Sequence, residues 1–172
     1  MTRWPRRGVV DAGVASELPT ETGERLLAAT RDADGRQLVG SDRALYVPAD
    51  GGWHRTPWQR IDHATWDRES EALVVVEVAD YGQPQPRYEF AMADPGQFLE
   101  LVRERVTASV LGTRHVPLPD GEWLQVIARR APVADGEVDW SVRLADSLDP
   151  SDPNVLRLVE QALADARDEL GV

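Results

Sequence analysis

Cysteine is missing from the 172 residues, and so is lysine: all 19 basic residues are arginine. The first absence excludes disulfides, thiolate metal sites and a cysteine nucleophile. The second excludes Schiff-base chemistry and a phosphate-loop lysine. Long apolar runs are missing as well. Stretches such as Leu73–Val76 are strand-sized, far short of the roughly 18 residues a membrane-spanning helix requires. Positive charge is in deficit, since 30 acids outweigh the arginines and leave a net charge of −11. A field of that sign repels nucleic acid and anionic lipid, which argues against both as partners. Only Arg3-Arg6-Arg7 and Arg129-Arg130 are local exceptions. The opening Met1–Arg7 is basic but has no apolar stretch behind it, so no secretory leader is expected and a cytoplasmic setting is.

The remaining composition, 42% hydrophobic and 28% charged, is that of a folding chain. Residues 1–20 read as an N-terminal arm, with a turn or two of helix between Val9 and Leu18. From Glu24 the pattern becomes that of short strands. Glu24–Arg31 is closed by Asp32-Ala33-Asp34-Gly35, and the Asp-Gly pair predicts a type I′ hairpin. Gln37–Val39, Ala44–Val47, Trp53–Trp58, Ile61–Trp66, Leu73–Ala79 and Arg87–Met92 supply six further strands. In the last of these, apolar and polar residues alternate as in a half-buried strand. Asp94, Pro95 and Gln97 predict a helix start with a capping box. Phe98, Leu101, Val102, Val106 and Val110 recur on one helical face, and Gly112 is the expected stop.

Seven strands and one amphipathic helix predict a partly open β-barrel closed by its last helix. The opening Gly23-Glu24-Arg25-Leu26-Leu27 and the stretch Leu38-Val39-x-x-Asp42-Arg43-x-Leu45-Tyr46 carry a resemblance. So do Pro57-Trp58-x-x-Ile61 and the helix beginning at Phe98. On these residues, 24–112 resemble a bacterial PH-like (pleckstrin-homology-like, GRAM-like) domain. The resemblance implies a non-catalytic module with a groove between a sheet edge and the closing helix, where a peptide can add as a strand. Many such domains bind phosphoinositides through basic residues in the first hairpin. Here that loop is acidic, with Arg31 and Arg36 interleaved with Asp32 and Asp34, so membrane lipid is not the expected partner.

Beyond Gly112 the sequence predicts a ββα extension spanning 113–172 and packed on the 21–112 barrel. Its strands are Gly121–Arg130 and Glu137–Leu144, and its helix is capped by Asp152-Pro153 and stopped by Gly171. Val155, Leu156, Val159, Ala162, Leu163, Ala166 and Leu170 form the helix stripe. The expected class is therefore α+β, mainly β.

Chemistry-bearing patterns are scarce. His54, His63 and His115 lack metal-ligand spacing, and no nucleophile elbow, phosphate loop or zinc-helix motif occurs. Ser41-Asp42 reads as a turn whose carboxylate takes backbone amides. Five of the six tryptophans (Trp53, Trp58, Trp66, Trp123, Trp140) fall in strand segments and are expected in the core, with Trp53 and Trp4 the pair that could anchor a partner. No catalytic, cofactor or metal residue is assigned, and no cofactor is expected. The reading is a cytoplasmic binding module for a protein or peptide, with no binding surface assigned. A peripheral phospholipid-binding domain is the alternative, and an enzyme using the histidines and carboxylates is the third possibility.

Overall fold

The computed structural model describes residues 10–133 and 136–171. Arg3, Trp4, Arg6 and Arg7 lie outside them. Over the described residues the chain is α+β and mainly β, built as three antiparallel meanders, three α-helices and two 3-10 turns.

The first meander is β1 (Leu26–Arg31), β2 (Gln37–Ser41), β3 (Ala44–Ala49) and β4 (Gly52–Pro57), ordered as in the chain. A one-turn 3-10 helix, Trp58–Arg60, leads to the second: β5 (Ile61–Asp67), β6 (Ala72–Glu77) and β7 (Arg87–Ala91). The helix α2 (Gly96–Ser109) then packs against β1, β2, β5 and the 3-10 turn. The core between these elements includes Leu38, Leu45, Ile61, Leu73, Val75, Phe98 and Val102. Trp58 is fully buried among them, and its indole N–H donates to the Ser41 carbonyl at 3.0 Å, so the ring can be buried without stranding its polar atom. Gly40 sets how closely α2 lies on β2. A methyl group there would come within 2.7 Å of Leu101 Cδ2.

The other face of the first meander is covered by the arm. A short helix, α1 (Ala12–Glu17), sets Val10, Val14 and buried Leu18 against Ala29, Val39, Ala44 and Tyr46. Trp53 is half-buried in this same patch rather than standing free as an anchor.

Three local expectations require correction. The first hairpin is not type I′, because only Gly35 has positive φ (80°) and Asp34 does not. Gly35 N donates to Asp32 O, and the Asp32 carboxylate takes the amides of Asp34 and Arg36, which favours a type I turn followed by a left-handed glycine. The capping box does not close. Asp94 Oδ1 accepts from Gly96 N at 2.8 Å, but Gln97 Oε1 is buried without a hydrogen-bond partner among the described residues. The helix stops at Ser109 and passes without a linker into a strand that was not foreseen, β8 (Val110–Pro117). Gly112 is thus a strand residue beside a bulge, and Val110 is 36% exposed rather than on the helix's buried face.

The second unit is accordingly βββα, and the boundary read at 112/113 falls inside β8. Its sheet runs β10-β9-β8, with β9 at Trp123–Arg129 and β10 at Asp139–Leu144. The helix α3 (Pro153–Leu170) starts as expected. Asp152 Oδ1 accepts from Asn154 N at 2.7 Å, and Gly171 ends it with φ of 69°. Its buried stripe is narrower than the sequence implied: Val155, Val159, Ala162 and Ala166 are buried, while Leu156 and Leu170 are each 39% exposed. Val155, Val159, Ala162 and Ala166 make a second core with Leu124 and Val126, to which Trp140, Val142 and Leu144 add their partly buried side chains. Among the described residues no helix is long and apolar enough to cross a membrane.

Candidate functional site

The two units meet through charge. Asp62 occupies a bulge in β5, between the paired residues Ile61 and His63, so its peptide group is free of the ladder. Its carbonyl accepts from Arg129 Nη2 at 2.8 Å, and its carboxylate lies 3.3 Å from the same nitrogen. Arg143 of β10 pairs with the other carboxylate oxygen, and His63 Nδ1 lies 2.9 Å from it. The side chains of Asp62 and Arg129 are only 2% and 4% exposed, so this is a buried pair with little screening. Burial holds both guanidiniums below their ordinary pKa. Burial also lowers that of His63, with the Arg129 charge adding to it. Arg129 further reaches Ser109 Oγ at the end of α2, at 3.5 Å. It therefore lies across the place where the β5 edge meets α2.

Beside this hub a cleft of about 480 Å³ separates the units. Its walls are Asp62 and His63, the Val78–Gln85 loop, Trp123, and β10 with the turn that follows it. Tyr81 bridges one end, its hydroxyl donating to Pro150 O at 3.1 Å. Ser141, Val142, Arg143 and Leu144 line the cleft consecutively. Since successive side chains of a strand point to opposite faces, a run of this kind means that the strand's edge is what the cleft sees.

That edge is open. Among the described residues β10 is the outer strand of its sheet and pairs only with β9. Ala145 N donates to Trp123 O at 3.0 Å, which makes 145·123 a hydrogen-bonded pair. Such pairs alternate with non-bonded ones along an antiparallel ladder. Stepping back through the register Leu144↔Leu124 and Arg143↔Gln125, the residues whose N–H and C=O point away from β9 are Leu144, Val142 and Trp140. Their side chains pack toward α3, while Ser141 and Arg143 point to the opposite face. Ser141 Oγ is buried without a hydrogen-bond partner among the described residues.

The residues singled out in the sequence are dispersed. His54 pairs with Glu77 at 2.7 Å, and His115 stacks on Trp123 with ring centroids 6.0 Å apart. Among the described residues no group of three or more possible ligands could hold a metal ion. Arg36 is tied to Asp32 and Asp34, and Arg31 to Asp11 and the Gly35 carbonyl. Arg129, half of a suspected surface basic patch, is interior. Ser41 serves the turn, its Oγ accepting from Arg43 N and Ala44 N, whereas the Asp42 carboxylate reaches outside it, Oδ1 accepting from Arg25 N at 3.0 Å. Behind that turn Ser41 also bonds the fully buried carboxylate of Glu24. Burial alone would raise the Glu24 pKa. Hydrogen bonds from Ser41, the Glu21 amide and Tyr46, with the Arg55 charge, outweigh it and hold the pKa below the usual value. Asp62, Ser141 and Arg143 carried no motif. The one legible signal was β10 itself, whose alternation was plain while its position at an edge was not.

No family model, curated protein or solved structure matches this chain.

Proposed function

We propose that the protein is a non-catalytic binding module that holds an extended segment of a partner protein as an added strand on β10, within the cleft between its units. The observation that carries this reading is the row of outward N–H and C=O groups at Trp140, Val142 and Leu144, the last two bordering a cleft of about 480 Å³. Unpaired edges invite strand addition, and proteins usually blunt them with charge, proline or a covering element. β10 carries no proline, its charges are Asp139 at its start and Arg143, which is committed to Asp62, and its partners across the cleft are side chains rather than a strand.

A four-strand meander, a three-strand meander and a closing helix, in that order, support the PH-like reading of 24–112. The groove which that resemblance suggests, at β5 and α2, has Arg129 lying across it, and this is why the binding surface is placed at β10. Engagement of Arg31 and Arg36 by neighbouring carboxylates argues against a phosphoinositide headgroup there.

The test is titration of isotope-labelled protein with peptides selected on it from a random display library. Amide shifts should concentrate in 139–146 and 78–85. Shifts confined to β1–β4, or to the exposed face of α3, would overturn the reading.

A further inference from the structure

We propose that the segment taken by the β10 edge is cationic, a strand bearing arginine or lysine at alternate positions. This rests on the strand-addition reading above and adds the chemistry of the ligand. The floor of the cleft is electrostatically occupied: the Asp62 carboxylate is shared by Arg129 and Arg143. The rim differs. Asp80 and Asp146 both line the cleft, both are exposed, and neither has an ion-pair partner among the described residues. Asp149 follows on the same turn, its pKa held low by Ser151. Tyr81 lines the same cleft, 37% exposed and fixed through its hydroxyl to Pro150 O, which leaves its ring available to a cation.

Sign also follows from the whole molecule. With net charge −11, a cationic segment is drawn in at long range and an anionic one is repelled. The single surplus positive charge at the floor belongs to guanidiniums already committed to Asp62 and is outnumbered by the rim carboxylates. In an added strand, side chains alternate between two faces. Every second residue can therefore reach the rim while its backbone pairs with Val142 and Leu144.

The experiment uses the full chain and three fluorescein-labelled ten-residue peptides, alternating Lys-Thr, Glu-Thr and Ser-Thr, read by anisotropy at two salt concentrations. A fourth probe is the Lys-Thr peptide N-methylated at alternate amides, which can no longer pair as a strand. The Lys-Thr peptide should bind best, weaken with salt, and lose affinity by roughly three- to tenfold in Asp80→Asn/Asp146→Asn. Both aspartates are exposed, so the fold tolerates the change. Equal binding of the Lys, Glu and Ser peptides, with loss on N-methylation, would overturn the charge assignment and leave strand addition standing. Binding of the Lys peptide that survives N-methylation would overturn strand addition. Absence of binding by all of them would overturn both.

Discussion

Asp62→Ala should be among the most damaging single substitutions in this protein. The carboxylate is 2% exposed and faces Arg129, which is 4% exposed. Alanine leaves that guanidinium interior and uncompensated, the situation in which breaking a buried ion pair costs about 3–5 kcal/mol. The Arg129 bond to the Asp62 carbonyl survives, because the backbone supplies it, and this sets the loss toward the lower end of that range. Loss of the pairing to Arg143, whose side chain is 35% exposed and screened, adds at most about 1 kcal/mol. In urea unfolding, with a slope of about 1–3 kcal/mol/M, the midpoint should fall by at least about 1 M. Arg143→Ala should cost about 1 kcal/mol or less. Replacing both members, Asp62→Leu with Arg129→Met, should recover most of the loss, since neither charge then remains buried. A loss below about 1 kcal/mol for Asp62→Ala, or a double variant as unstable as the single one, would refute the claim that this pair is buried and mutually dependent.

Gly40→Ala should lower the melting temperature, even though alanine suits a strand better than glycine, because its methyl would meet Leu101 at 2.7 Å. Overpacking of that kind costs about 1–3 kcal/mol, or roughly 2–10 °C in a chain of this size, and an unchanged or raised melting temperature would show that the Leu101 side chain or α2 gives way freely. Acid should destabilise the fold through Glu24. Its folded pKa lies below the ordinary 4.5, so its contribution is complete above that value and is lost as pH falls through the lowered folded pKa; Glu24→Gln should flatten this limb of the stability profile. His63 acts in a higher window. Its folded pKa is below 6.5, so the unfolded chain binds the proton first and stability declines as pH falls from about 6.5; His63→Asn should remove that dependence, and a slope unchanged in the variant would contradict it.

Elements were legible in the sequence wherever alternation or capping residues marked them, as in the strand Arg87–Ala91 and in the Asp152-Pro153 start of the helix α3. β8 was not legible. Thr113, Arg114 and His115 put polar groups on both faces, and Val110 matched the helical period of α2 closely enough to be absorbed into it. The candidate site escaped for a different reason. Asp62 meets Arg129 and Arg143 across 67 and 81 positions of chain, and nothing local distinguishes these arginines from solvated ones. The open edge of β10 is a property of strand order, which is fixed by how β8 returns beside β9 rather than by any residue of β10.

Hydrogen exchange at single amides, followed in the full chain with and without a bound Lys-Thr peptide, tests strand addition to β10 most directly. Trp140, Val142 and Leu144 should exchange fast in the free protein, where their N–H groups point away from β9, while Ser141 and Arg143, bonded to β9, exchange slowly. Peptide should slow Val142 and Leu144 and leave the β1–β4 amides unchanged. Amides at Val142 and Leu144 already protected in the free chain, or unprotected at saturating peptide, would contradict strand addition at this edge.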